Sequence, residues 1–213
     1  WWAQVLVEWV ARAGHPMIRF DYSAHGESPG RFEDMTLSHW LEDTLTVLDS
    51  LGNSPPVIVG SSMGGWITLL AMRERYRQGK PSPKGLVLIA PAVDFTEELM
   101  WNAFPQAVKQ KIVDEGVYYQ ASAYGEPYPI TKEFIADGRN HLMFGAPIEP
   151  HAPVHILQGI KDPDVPVAHM QRLLDHMAGA DVNVTYVKDG DHRLSRPEDL
   201  ELLQRVVWSM ISR

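Results

Sequence analysis

Gly60-Ser61-Ser62-Met63-Gly64-Gly65 stands between two apolar segments, and that placement constrains the chain more than any other feature. Ahead of it runs Pro56-Val57-Ile58-Val59, short and β-branched, which reads as a strand. Behind it, Trp66-Ile67-Thr68-Leu69-Leu70-Ala71-Met72 reads as the start of a buried helix. A strand that passes into a helix through Gly-x-Ser-x-Gly turns sharply enough to hold a serine hydroxyl out at the end of a sheet. Such a turn leaves no room for bulk two residues before and two after the serine, hence Gly60 and Gly64. The same rule selects Ser62 over Ser61, whose corresponding positions hold Val59 and Met63.

A serine hydroxyl is a weak nucleophile at neutral pH and needs a base, with a third group to orient that base. Downstream, Val154-His155-Ile156-Leu157-Gln158 reads as a strand and runs into Gly159-Ile160-Lys161-Asp162-Pro163-Asp164-Val165-Pro166. An amphipathic helix follows, with Met170, Leu173, Leu174 and Met177 on its apolar face and Gly179 as its stop. A further strand, Val182 to Val187, leads into Lys188-Asp189-Gly190-Asp191-His192-Arg193. Loops after parallel strands open at one edge of the sheet, so an acid and a histidine placed this way arrive near Ser62. Three acids compete to orient the base: Asp162 in the pattern Gly-x-x-Asp-x-x-Val-Pro is preferred, with Asp164 and Asp94 as alternatives. Of the nine histidines, His192 stands out. It precedes Ser195-Arg196-Pro197-Glu198, which reads as a capping box opening a helix with Leu200, Leu203, Val207 and Met210 on its apolar face. The spacing of His151 and His155 is that of one helix face, but their segment reads as loop into strand, so no metal pair is expected there.

These segments carry a resemblance. Phe20-Asp21-Tyr22-Ser23-Ala24-His25-Gly26-Glu27-Ser28, Val59 to Trp66, Gly159 to Asp162 with Val165-Pro166, and Asp191-His192-Arg193 are together similar to the α/β-hydrolases. More narrowly they resemble the abhydrolase group of palmitoyl-protein thioesterases and mycophenolic acid acyl-glucuronide esterases. The resemblance implies a catalytic triad of Ser62, Asp162 and His192. It also implies an oxyanion hole with the Met63 backbone N–H as one donor. The second donor in such enzymes follows the third strand. This chain opens in a helical pattern with Val5, Leu6, Trp9 and Val10 on one face, and its Met17–Phe20 segment matches the family's fourth strand. The first three strands and the second donor are therefore expected to lie outside this sequence, which would be a fragment of a longer protein.

The expected fold class is α/β, an α/β-hydrolase fold: a mostly parallel sheet with helices on both faces and a small cap insertion. Residues 1–90 and 151–213 read as the hydrolase core and 91–150 as a cap or lid. The helix between the first two expected strands runs from about Thr36 to Leu51, with Leu37, Leu41, Leu45 and Leu48 in one stripe. His25, ahead of it in a loop rich in Gly, Ser and acids, reads as a structural or pocket-rim residue. In the insertion, Trp101, Phe104, Tyr118, Tyr119, Tyr124, Tyr128, Phe134 and Phe144 are punctuated by prolines. Trp101, Phe104 and Tyr118 are the candidate substrate contacts.

With 213 residues, 45% of them hydrophobic, the chain has ample material for one α/β domain, and no run is long enough to span a membrane. It holds no cysteine, which excludes disulfides and a thiol nucleophile. A net charge of −8 argues against nucleic acid or an anionic membrane as partner. The expected chemistry is cleavage of carboxylic esters of small to medium acyl groups through an acyl-enzyme, without cofactor or metal. The partner is a small-molecule acyl ester or thioester, and the expected compartment is the cytoplasm. An acyl-protein or acyl-CoA thioesterase is the alternative, and a hydrolase-like small-molecule receptor with little turnover is the alternative from another class.

Overall fold

The computed structural model describes residues 2–52, 54–122, 125–179 and 181–213. Tyr124 of the aromatic series above lies outside the described residues. In chain order the elements are α1 (Trp2–Arg12), α2 (Leu37–Ser50), β1 (Val57–Ser61), α3 (Met63–Arg77) and β2 (Gly85–Ile89). A π-helical turn at Thr96–Trp101 then leads to α4 (Gln106–Glu115), β3 (Val117–Ser122), β4 (Gly125–Thr131) and α5 (Lys132–Asn140). The chain closes with β5 (Val154–Gly159), α6 (Val167–His176), β6 (Val182–Val187) and α7 (Pro197–Ile211).

Four strands form one parallel sheet in the order β1-β2-β5-β6. β2 shows why helices cover both faces. Successive side chains on a strand point to opposite sides. Leu86 and Leu88 join Leu37, Trp40, Leu69, Leu70, Met170 and Leu173, from α2, α3 and α6. Val87 and Ile89 join Leu6, Val10, Leu203 and Val207, from α1 and α7. With both faces covered, the strand tolerates no polar residue, and Gly85–Ile89 is buried throughout. Removing Leu88 beyond its Cβ would cost about 2–5 kcal/mol, the range for a buried leucine. α3 runs behind the sheet with Trp66 to Met72 all buried, which fits its apolar character on every side.

Three expectations need correction. Met17–Phe20 is not a strand: residues 15–22 carry no ladder, and Ile18 is 57% exposed. β propensity becomes a strand only beside a partner, and among the described residues none pairs with this segment. The last helix is capped one residue later than its sequence suggests. Pro197 takes the first helical position, so Arg196 is the cap and Asp199 reaches back to its N–H at 3.1 Å. The insertion also contains an antiparallel hairpin, β3 with β4, which its prolines concealed. Pro127 and Pro129 are two residues apart, so their missing N–H groups face one side, the free edge of a two-stranded ribbon.

Candidate active site

Ser62 alone makes the turn between β1 and α3, with φ 52° and ψ −120°. A non-glycine residue there is strained by about 1–3 kcal/mol, and the surroundings have to hold it. Its N–H donates to the Ile89 carbonyl at 2.8 Å, while its own carbonyl accepts from Gly65 at 2.9 Å and Ala92 at 3.1 Å. A Cβ on Gly60 would lie 2.5 Å from the Gly64 oxygen, so that glycine is required as expected. Gly64 is different: an added Cβ would meet only the Tyr22 hydroxyl, at 3.6 Å. The tight position on the helix side is Gly65, whose Cβ would come within 2.7 Å of Pro91. That contact is set by a loop distant in sequence, which a local turn rule cannot see.

Asp162 follows β5 and His192 follows β6, and the two loops are fastened to each other. The Lys161 N–H donates to the Gly190 carbonyl at 2.9 Å. Gly159 lies so near the Gly190 and Asp191 carbonyls that any Cβ would overlap them. Asp191 Oδ1 accepts the N–H groups of Arg193 at 3.0 Å and Leu194 at 3.1 Å, which closes the turn presenting the imidazole.

The two loops and the β1–α3 turn bring Ser62, His192 and Asp162 together. His192 Nε2 is 3.0 Å from Ser62 Oγ, and His192 Nδ1 is 2.8 Å from Asp162 Oδ2. The Asp162 side chain is fully buried. Its Oδ1 accepts the N–H groups of Asp164 at 2.8 Å and Val165 at 2.9 Å. A carboxylate accepts only, so Nδ1 must carry the proton, which leaves the Nε2 lone pair toward the serine hydroxyl. Burial alone would raise the Asp162 carboxyl. The hydrogen bond from His192, the two backbone N–H groups and the imidazolium charge outweigh it and hold the group below the ordinary aspartate value. Burial likewise favours neutral His192, but the hydrogen bond to Asp162 and the charges of Asp162, Asp164 and Asp191 raise it above the ordinary imidazole value.

The other candidates go elsewhere. Asp94 is buried after β2, where its carboxylate accepts the N–H groups of Met143 at 2.8 Å and Phe144 at 2.9 Å. It fastens the end of the insertion to the sheet and does not contact His192. Asp164 is exposed, and one ligand atom each from Asp162, Asp164 and His192 lie within 4.8 Å of one another. A cation held there would have to break the Asp162–His192 hydrogen bond. His151 stacks on Tyr76 with centroids 3.8 Å apart, and His155 Nε2 meets Thr185 Oγ1 at 2.9 Å, so these two histidines have separate partners. His25 is ringed by Tyr22, Phe32 and Trp40. Trp101, Phe104 and Tyr118 are half-buried and pack against the hydrophobic cluster that contains Leu37, Trp40 and Leu69. The Arg139 guanidinium lies 4.8 Å from the Trp101 ring centre, and Phe104 meets Tyr118 edge-on at 6.0 Å. The sequence reading missed Gln158, which donates to Asp162 Oδ2 at 3.3 Å. Its signal was an amide directly after the apolar pair Ile156-Leu157, one residue before the glycine of the acid turn.

Comparison with known proteins agrees with this architecture. The model of the Alpha/beta hydrolase family matches residues 1–201. The human palmitoyl-protein thioesterase ABHD10, named as mitochondrial, is 33% identical over 213 residues, 99% of this chain and 68% of that protein. A crystal structure of a putative hydrolase from Agrobacterium vitis superposes with a TM-score of 0.93 at 40% identity, covering 99% of this chain and 82% of that one. Alpha/beta hydrolase domain-containing protein 10 from mouse gives a TM-score of 0.87 at 32% identity, with 99% and 83% covered. Among the described residues no helix is long and apolar enough to cross a membrane. A family match over nearly the whole chain, on a sheet of this topology, means that the protein is an enzyme of the alpha/beta hydrolase family.

Proposed function

We propose that the protein is a serine hydrolase that cleaves carboxylic esters of small to medium acyl groups through Ser62, His192 and Asp162. One observation carries the reading: the hydroxyl, imidazole and carboxylate form a continuous hydrogen-bonded line of 3.0 and 2.8 Å, starting at a strained turn. His192 Nε2 takes the proton from Ser62 Oγ as the oxygen adds to the acyl carbon. The charge that forms on the acyl oxygen falls to the Met63 N–H, which opens α3 and has no acceptor within the helix. His192 then returns the proton to the leaving oxygen or sulfur, and the carbon–heteroatom bond breaks to give an acyl-Ser62 ester. Water enters, loses its proton to Nε2 and adds to that ester. Collapse releases the acid and restores the serine. Asp162 stays ionised throughout and holds the imidazolium.

Residues 91–150 form the cap in this reading, with residues 1–90 and 151–213 as the core. The cap is pinned across to the core by Ser38 with Asp137 and by the Tyr119 hydroxyl donating to Glu33 at 3.0 Å. Trp101, Phe104 and Tyr118 are the side chains assigned to the acyl group on the cap side, and no cofactor is assigned. A fluorophosphonate probe tests the nucleophile: it labels the wild-type protein, and Ser62→Ala abolishes labelling. Equal labelling of both would overturn the assignment.

Thioester cleavage is the second reading, favoured by the 33% identity to a protein named palmitoyl-protein thioesterase. Matched oxygen esters and thioesters across a range of acyl lengths separate the two. A receptor that binds without turnover is the reading to which the protein would fall if a p-nitrophenyl ester gave neither burst nor steady state.

A further inference from the structure

Gln158 lies in β5, buried to the last atom, on a sheet whose interior is otherwise packed with aliphatic side chains. Its Nε2 is 3.0 Å from the Gly159 carbonyl, 2.9 Å from the Val165 carbonyl and 3.3 Å from Asp162 Oδ2. All three neighbours are acceptors, so the amide nitrogen faces them; a flipped amide would set oxygen against oxygen. Two hydrogens are shared among three acceptors. The amide oxygen points the other way and has no hydrogen-bond partner. An orphaned buried carbonyl is destabilising, and leucine or methionine would fill the space without one. The position keeps a donor at the expense of an unsatisfied acceptor.

We propose that Gln158 is a positioning residue for the acid: its amide nitrogen fixes the turn that carries Asp162 and shares the carboxylate oxygen that receives the His192 proton. This rests on the triad reading above. The contacts form a closed ring. Gln158 Nε2 holds the Val165 carbonyl, and the Val165 N–H holds Asp162 Oδ1 at 2.9 Å. Gln158 and His192 then both donate to Oδ2. With both oxygens engaged, the carboxylate plane cannot rotate away from the imidazole. Part of the charge on Oδ2 is also answered from behind, so His192 meets a carboxylate of moderated strength.

Gln158→Met tests this, because it preserves side-chain length and loses the donor; Gln158→Leu is the second variant if the first fails to fold. The groups facing His192 are Asp162 and Asp164 from the turn after β5, Asp191 from its own loop and Ser62 from the β1–α3 turn. With Gln158 silenced, the Asp162 charge acts on the imidazole undiluted. The acid limb of kcat/KM for a p-nitrophenyl ester should then move to higher pH. At neutral pH kcat should fall about ten-fold with KM little changed, the size expected when a reacting group loses its fixed placement. A residue that served packing alone would lower the melting temperature and leave the limb where it was. A folded variant with wild-type kcat and an unmoved limb overturns the proposal. Wild-type protein that takes up no more fluorophosphonate than Ser62→Ala brings down the triad reading itself, and this proposal with it.

Discussion

Asp162→Asn separates charge from shape at the acid position, and the structure says how large the effect should be. Asp162 Oδ1 accepts two backbone N–H groups, and Oδ2 accepts His192 Nδ1–H and the Gln158 amide. An asparagine has one acceptor end and one donor end. Its oxygen must face the two backbone N–H groups, because the reverse orientation would press an NH₂ against both of them. The NH₂ then faces His192 and forces Nδ1 to become the acceptor, at the loss of the single long Gln158 contact at 3.3 Å rather than of the two short backbone ones. The ring proton moves to Nε2, where it points at Ser62 Oγ and blocks proton removal. A wrong tautomer at this position of a Ser-His-Asp triad lowers kcat about ten-thousand-fold, or ~5.5 kcal/mol in the barrier. Volume and burial are unchanged, so the melting temperature at neutral pH should move far less than the rate does. The assay is kcat for a p-nitrophenyl ester beside the rate of fluorophosphonate labelling, each at several pH values, with folding followed by circular dichroism. A loss under a hundred-fold in a folded variant would mean that Asp162 does not set the tautomer, and Asp164 would become the acid to examine.

Asp164→Asn removes one of the anions that raise His192, so the acid limb of kcat/KM should shift to lower pH, more at low salt than at high salt. The sign follows because a less stabilised imidazolium gives up its proton earlier, and a shift upward or none at all refutes it. Ser62→Gly should be inactive yet more stable by about 1 kcal/mol, because glycine relieves the backbone strain at φ 52°; chemical denaturation measures this, and a less stable variant counts against strain at the turn. Gly159→Ala forces the Gly190 and Asp191 carbonyls away from β5, so stability should drop by roughly 2 kcal/mol or more and activity should fall with it. Unchanged activity there would show that the His192 loop is not held by this contact.

How far the site could be read in advance depended on whether each residue's partners were near it in sequence. Ser62 was legible because strand, turn and helix are consecutive, and Gly60 is excluded from larger residues by Gly64, four positions on. Gly65 was illegible because its constraint is Pro91, delivered by the loop after the neighbouring strand. The same distinction explains the acids. Asp162, Asp164 and Asp94 all follow strands, so periodicity ranks them equally; the Gly-x-x-Asp-x-x-Val-Pro register favours Asp162 in the sequence, and the path of each loop gives the physical difference between them. Asp94 turns toward Met143 and Phe144 at the far end of the insertion, while Asp162 turns under the loop that β6 feeds. Met17–Phe20 failed in the opposite way: its residues have strand propensity, but pairing is a property of two segments, and no described neighbour supplies the second. Gln158 falls between these cases. Its polarity in a buried strand is visible in the sequence, but the direction of its amide is set by Gly159, Asp162 and Val165 together, after the turn has closed. A polar residue inside a parallel strand, next to the glycine that ends it, is therefore worth treating as a sign of what the following loop must hold still.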